Sequence, residues 1–326
     1  METLAAAFTD HLAVCLRMAV VAPIMRRGPG YWKMDARLLE EKTITEQFNI
    51  LWDQLRRQKK GYPNTPLWWE RSCKRRIQGF FRKVQADRRR DHRDMENFYY
   101  QCIYERLQQP APNAYTRAVL QKLKAKIVRL HNIRLNQLLI DNYATDRTEG
   151  EQPTTYNVLQ MRRRRTDRTI TALRDLEGNT QTTPRGIANT LVNYLRGKYK
   201  RIEVNAVYVQ QLLREIETVQ KKQNNAAPVT RFTQGEIEQA INAGGRKKAP
   251  GRDGLSSEFY KHMWKITQEE MSENFNQMFW DGLLTPRQKQ GEIICLPKKR
   301  GTNEPSDLRP ITLLNTDYKI LARIVA

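Results

Sequence analysis

The sequence predicts a mainly α protein with small β elements, built around long basic helices. Three observations carry this. Apolar residues recur at three- and four-residue spacing through most of the 326 residues, whereas alternation is confined to short segments. Hydrophobic residues make up only 39% of the chain and mean hydropathy is −0.74, so its helices must present large solvated faces. Lysine and arginine total 57 against 35 aspartate and glutamate, a formal net charge of +22, and the excess is clustered.

Residues 12–24, LAVCLRMAVVAPI, read as one strand or two, because Val, Ala and Leu dominate; Arg26-Arg27-Gly28-Pro29-Gly30 breaks the pattern. A helix follows, its start read from Thr43 with Glu46 three residues on, the capping-box pattern, and Ile44, Phe48, Leu51, Trp52 and Leu55 fall on one face. Gly61-Tyr62-Pro63-Asn64 is a turn, after which Thr65 as N-cap and Pro66 at the first helical position open another helix. That helix extends to Gln109, where Pro110 and Pro112 stop it. Its apolar stripe is Trp69, Cys73, Ile77, Phe80, Phe81 and Val84, resuming at Met95, Phe98, Tyr99, Cys102 and Ile103. The interval QADRRRDHRD offers almost nothing to bury, which leaves open one long exposed helix or two with a flexible joint. A helix over 114–141 places Leu120, Leu123, Ile127 and Leu130 at spacing that fits an antiparallel hairpin with its predecessor.

Residues 142–156 are polar and turn-rich, a linker. Thr169 to Leu173, a turn at Glu177-Gly178-Asn179, and Thr180 to Thr182 form a small hairpin. Thr183-Pro184 opens a helix with Ile187, Leu191, Tyr194 and Leu195 on one face; another spans 206–221, and 221–228 is a second linker. Phe232-Thr233-x-x-Glu236-Ile237 combines capping box and hydrophobic staple, starting a helix at 234 that Gly244-Gly245 ends. A basic loop follows, Gly245 to Gly254. Thr267-x-x-Glu270 is read as the cap of a further helix with Phe275, Met278 and Phe279 on its apolar face. Glu292 to Leu296 is a short strand turned by Pro297 to Gly301, and Leu308 to Leu314 leads into a last segment, Tyr318 to Ala326.

Several function classes are excluded. No apolar run approaches the roughly 20 residues of a membrane helix, so no membrane partner is expected. Glu2 stands where a secretory leader is basic, and Asp10, His11 and Arg17 interrupt the apolar run after it, so an intracellular protein, nuclear or cytoplasmic, is expected. Cys15, Cys73, Cys102 and Cys295 lie at no metal-ligand or CxxC spacing, and His11, His92, His131 and His262 form no pair, which rules out a zinc knuckle.

The positive clusters point to polyphosphate. Arg75, Arg76, Arg82, Lys83, Arg88, Arg89 and Arg90 stud one helix, Arg162, Arg163, Arg164 and Arg165 are consecutive, and Lys247 and Lys248 sit in the basic loop. Lys122, Lys124, Lys126, Arg129 and Arg134 add a further run. Any one run reads as a solvated helix face; several of them with this net charge read as an RNA- and/or DNA-binding surface through counterion release.

The segments KKAPGRDGLSSEFYKHMW, GLLTPRQKQGEIICLPKKRG and DLRPITLLNTDYKILARIVA resemble the opening blocks of a LINE-type (non-LTR) retrotransposon reverse transcriptase. The elements that match, in order, are Pro250-Gly251-x-Asp253-Gly254, Phe259-Tyr260, Leu296-Pro297-Lys298-Lys299 and Leu308-Arg309-Pro310-Ile311. Phe8-Thr9-Asp10-His11-Leu12-Ala13-Val14 resembles the last catalytic block of the endonuclease that precedes the polymerase in such elements. GPGYWKMDARLL and Trp68-Trp69 resemble the region that connects the two. The resemblance implies an endonuclease remnant over 1–25, a basic helical connector over 26–228, and the N-terminal, α+β fingers part of a reverse transcriptase over 229–326. Asp10 and His11 are then ancestral nuclease residues, and Lys298, Lys299 and Arg309 contact the triphosphate of an incoming nucleotide. Read from the residues alone, the two lysines are a solvated turn and Arg309 a structural ion pair. Asp253 either contacts metal or substrate or caps the turn before Gly254, and its residue type favours the turn. The family's palm carboxylates, one Asp and then an Asp-Asp pair, hold two magnesium ions; no Asp-Asp occurs here. The chain is therefore expected to need no cofactor and to be inactive alone, magnesium belonging to the complete parent enzyme.

Overall fold

A mostly polar chain with widely spaced apolar stripes has one economical solution: helices that bury one face and solvate the rest. The computed structural model describes residues 2–5, 12–15, 31–108, 113–141, 169–200, 205–222, 230–299 and 301–326. Its helical elements in order are α1 (Lys42–Gln58), α2 (Thr65–Trp68), α3 (Lys74–Leu107), α4 (Ala114–Asp141), α5 (Pro184–Lys198), α6 (Ala206–Lys222), α7 (Gln234–Asn242), α8 (Ser257–Trp280) and α9 (Thr316–Val325). Strands β1 (Glu2–Ala5), β2 (Leu12–Cys15), β3 (Leu173–Arg174), β4 (Thr180–Gln181), β5 (Glu292–Pro297) and β6 (Leu308–Leu313) pair consecutively as antiparallel hairpins. The mainly α class with small β elements is borne out. The chain divides into two compact units, residues 1–27 with 82–169, and residues 28–81 with 170–326.

In the first unit β1 and β2 pair with Glu2 opposite Cys15. The later part of α3 meets α4 through buried Ile103, Leu120 and Ile127, with Tyr99, Tyr100, Leu107 and Leu123 packed around them. His131 Nε2 lies 2.7 Å from Glu96 Oε1, and the Lys126 ammonium sits 5.3 Å from the centre of the Tyr99 ring. The two helices thus form the antiparallel hairpin that their spacing predicts. The polar interval does not break α3. There Arg90 pairs with Asp87 at 2.9 Å and Arg89 Nε donates to the Gln85 carbonyl, contacts one helical turn apart that support a solvated helix.

The second unit has an aromatic core. Phe48 and Trp52 of α1, Trp68, Trp69 and Phe81 are all 0–1% exposed, and Phe259 and Tyr260 of α8 are 1% and 3% exposed. Phe259 stands edge-on to both Phe48 and Phe81, with ring centres 5.7 and 6.0 Å apart, and Trp52 meets Trp68 at 5.6 Å. Between α2 and α3 the backbone widens into a π turn, Trp69–Cys73, where the Lys74 N–H reaches back to the Trp69 carbonyl. Residues before and after position 229 therefore share one core.

Three predicted helix starts are corrected. The first helix enters at Glu41, whose side chain makes no cap, because a 3₁₀ turn over Ala36–Glu40 delivers the chain two residues earlier; Thr43 and Glu46 lie exposed beyond it. The cap of α2 is Asn64, which accepts from the Leu67 N–H at 2.9 Å, while the Thr65 hydroxyl donates to Glu273. Thr267 and Glu270 are interior to α8, which begins at Ser257. Other partners take them: Thr267 Oγ1 donates to the Met263 carbonyl one turn earlier in the same helix, and Glu270 accepts from the distant Trp52 Nε1 and Arg56 Nε. The capping box of Thr233 and Glu236 is present as predicted.

Candidate functional site

The basic loop between α7 and α8 sorts its residues by side. Pro250, Gly251, Asp253 and Gly254 are buried, whereas Arg246, Lys247, Lys248 and Arg252 are exposed. Local chemistry enforces the sorting. Gly254 has φ +69°, a conformation that L side chains rarely adopt, and a Cβ there would collide with the Trp32 carbonyl. A Cβ on Gly251 would collide with Asn315. The Gly254 carbonyl accepts from the Met34 N–H, and the Gly254 N–H donates to the Gly251 carbonyl. Thr316 Oγ1 donates to the Leu255 carbonyl, Lys319 Nζ to that of Ala249, and Gln78 Nε2 to that of Asp253. Trp32 and Met34 thus acquire a structural role, seating the loop from one side.

Beneath the loop lies a buried charge cage. The Lys74 ammonium is 2.8 Å from Asp317 Oδ2, 2.9 Å from Glu70 Oε2 and 3.1 Å from Asp253 Oδ2, and all four side chains are at most 7% exposed. One ammonium against three carboxylates leaves a formal −2 when all are ionised. Asp317 also accepts from Trp69 Nε1 at 3.0 Å and Gln288 Nε2 at 3.2 Å. Asp253 Oδ1 accepts from the Leu255 N–H at 3.2 Å, the turn role that its residue type predicts, while its other oxygen faces Lys74. The Tyr260 hydroxyl is buried without a hydrogen-bond partner.

The electrostatics follow from burial against pairing. Burial, augmented by Asp317 and offset by Lys74, pushes the Asp253 carboxyl up to about 6. Burial also opposes charge on Asp317, but Lys74, Gln288 and Trp69 hold it below the ordinary carboxylate value. Burial disfavours the Lys74 ammonium, yet Asp317, Asp253 and Glu70 outweigh it and raise the lysine above its usual value.

The predicted nucleotide contacts lie on the β5–β6 hairpin. Arg309 is paired across from Leu296 and exposed, and Lys298 and Lys299 are exposed at the turn. Lys298 Nζ already donates to the Ser306 carbonyl at 2.8 Å, and its N–H donates to the Asp307 carbonyl. On α3, Arg75, Arg76, Arg82, Lys83, Arg88, Arg89 and Arg90 are all exposed, Arg76 donating to Gln54. Asp10, His11 and Arg162 to Arg165 lie outside the described residues.

The sequence reading missed Lys74, Glu70 and Asp317 as partners of Asp253. Their signal was position: Glu70, Lys74, Ile77 and Phe81 follow one another at four, three and four residues, so a lysine sits on the apolar face of its helix. The surrounding run of arginines hid it.

No protein-family model matches the chain. A Transposon TX1 uncharacterized 149 kDa protein of Xenopus laevis is 22% identical over 338 residues, an alignment that takes in 98% of this chain and 24% of that protein. The chain is thus similar to part of a transposon protein. It spans about a quarter of its relative's length, and the alignment runs through the loop, the hairpin and the long helices alike. Among the described residues no helix is long and apolar enough to cross a membrane.

Proposed function

We propose that the chain is a nucleic-acid-binding part of a LINE-type retrotransposon polyprotein, carrying the fingers side of its reverse transcriptase. Binding is its contribution, and magnesium-dependent DNA synthesis belongs to the polymerase completed by palm carboxylates. The observation that carries this reading is the sorting of the PGRDG loop. Its glycines and Asp253 are locked inward and its cations are presented outward, on a motif that resembles the family's own and in a chain similar to a transposon protein. Fixed cations neutralise phosphate without the entropy cost of ordering free side chains. The exposed arginines of α3 add further basic charge, and Lys299 and Arg309 are candidates for the triphosphate. Lys298 contributes less, because its ammonium already serves the turn. A protein-interaction module is the competing reading; it draws on α6, whose Val207, Tyr208, Leu212 and Leu213 are 52–71% exposed.

Salt separates the two. If six to ten phosphates are contacted, affinity for a labelled oligonucleotide falls roughly 10³–10⁵-fold between 50 and 200 mM salt. A flat salt response defeats the nucleic-acid reading. Extension of a labelled primer on an RNA template by the pure chain with magnesium would show that the division between binding and synthesis is wrong.

A further inference from the structure

Several departures from ordinary local rules lie in the segments that the charge cage joins. The π turn Trp69–Cys73 interrupts regular helix immediately before Lys74. Lys247 is the one residue other than glycine with positive φ among those described, at 56°, and its N–H is held by Glu258. Gly254 has positive φ against the Trp32 backbone. A lysine and three carboxylates are buried together beneath them. Backbone strain and π turns persist where surrounding structure over-determines them, and they concentrate at functional sites.

The cage is a poor device for stability alone, since apolar residues of similar volume commonly serve a core as well or better than buried ions. What it supplies is geometry. Glu70 comes from the π turn, Asp253 from the loop, and Asp317 from the first turn of α9, so one ammonium fastens three separate segments. Asp253 is followed at once by Gly254 and preceded by Arg252, so its placement fixes the direction in which the exposed half of the loop emerges.

We propose that Lys74 is a positioning residue, whose buried ammonium, shared by Asp253 and Asp317, fixes the loop over 246–252 in the shape that grips a phosphate backbone. This rests on the nucleic-acid reading above and adds the element that sets its geometry. Without the ammonium, Asp253 and Asp317 repel each other and the loop leaves its seat. Its cations remain on the chain but no longer converge.

The test uses the full chain and a labelled single-stranded oligonucleotide, as RNA and as DNA, across a salt series. The variants are Lys74→Met, the pair K247Q/K248Q, and all three together. If the lysine pair makes two phosphate contacts, its loss lowers the slope of log affinity against log salt by about 1.4. Lys74→Met is expected to lower the slope by a similar amount, and the triple variant no further than either, because both changes disable the same loop. A folded Lys74→Met chain with the wild-type slope, or losses that add in the triple variant, overturns the proposal. Should Lys74→Met fail to fold, Asp253→Ala takes its place, removing the loop's own link to the ammonium while leaving Glu70 and Asp317 on it. Trypsin cleavage after Arg246, Lys247, Lys248 and Arg252, followed by mass spectrometry, reads the loop without any nucleic acid. Faster cleavage at these four bonds in Asp253→Ala, with the rest of the pattern unchanged, supports the positioning role; unchanged cleavage overturns it. If the wild-type chain binds neither oligonucleotide, the nucleic-acid reading fails, and the cleavage experiment still decides whether Lys74 fixes the loop.

Discussion

The cage makes the stability of the second unit depend on pH in an unusual direction. Asp253 has its carboxyl pushed from 3.8 up to about 6 by burial first, with Asp317 adding to burial and Lys74 opposing it. A carboxyl raised on folding takes up protons in the folded state before the unfolded chain does. Its contribution is therefore fully present below 3.8 and is lost as pH rises through about 6. A shift of roughly two units is worth about 3 kcal/mol in full, at about 1.36 kcal/mol per unit. Asp253 is only 6% exposed, so solvent screening takes little from this. Between pH 7.5 and 5.0 the linkage adds stability on acidification, on the order of 1 kcal/mol. The carboxylates held low, Asp317, Glu258 and Glu273 among them, contribute stability above their unfolded values, and it is lost only as pH falls further. Urea unfolding at pH 7.5, 6.0 and 5.0 measures the effect. The six tryptophans, Trp32, Trp52, Trp68, Trp69, Trp264 and Trp280, all lie within residues 28–81 and 170–326, so their fluorescence reports this unit alone. The wild type is expected to gain stability toward pH 5, and Asp253→Ala to lose that gain whatever its own stability. A wild-type stability that is flat or falling over this range, or an equal rise in Asp253→Ala, refutes the account of the cage.

Further outcomes come from packing and caps, each read as a change in unfolding free energy by the same fluorescence. Phe259→Ala removes the ring that meets Phe48, Phe81 and Tyr260 and is expected to cost about 3–5 kcal/mol; a loss below about 1 kcal/mol would mean that the aromatic core is not packed as described. Asn64→Ala deletes the cap on the Leu67 N–H and should cost about 1 kcal/mol, whereas Thr43→Ala should stay within about 0.5 kcal/mol because that hydroxyl caps nothing. Gly254→Ala should cost clearly more than Gly282→Ala: both have positive φ, at 69° and 63°, but only at Gly254 does the new Cβ meet the Trp32 backbone. Equal costs at the two glycines would place the strain in φ alone.

What was legible in the sequence was whatever local chemistry decides. The helix over 114–141, the Thr183 and Thr233 caps and the hairpin of residues 173–181 follow from spacing, cap residues and turn residues, each acting over a few positions. One misreading is local, the 3₁₀ turn over Ala36–Glu40 that starts the first helix before Thr43, and another is a case where a distant partner claimed a residue that local rules assign elsewhere. Thr267 and Glu270 spell a capping box, but Trp52 and Arg56, more than 200 residues away, take the glutamate and the helix runs through. Asp253 was read correctly as a turn residue and incompletely as a charge, because its counterion is 179 residues earlier in the sequence, amid surface arginines. No short-range rule separates one buried lysine from its exposed basic neighbours; only the three-dimensional stripe does.

The buried cage also bears on where function lies in this fold. A chain whose core were built for stability alone would fill the space between α3, α8 and α9 with aliphatic side chains, as it does with aromatics a few residues away. Instead it buries a formal −2 around one lysine and leaves a tyrosine hydroxyl without a partner. It also spends a π turn and a positive-φ lysine on the same neighbourhood. Sequences tend to violate local consistency where a site must be held in one shape. Two of these features belong to the loop that presents Arg246, Lys247, Lys248 and Arg252 outward: Asp253, held by the cage, and Lys247 with its positive φ. The α3 basic residues from Arg82 to Arg90 lie farther along the helix, on its regular solvated stretch. On the nucleic-acid reading proposed above, the basic residues would act in two grades: a general one on α3, set by composition, and a shaped one at the loop, set by the buried lysine.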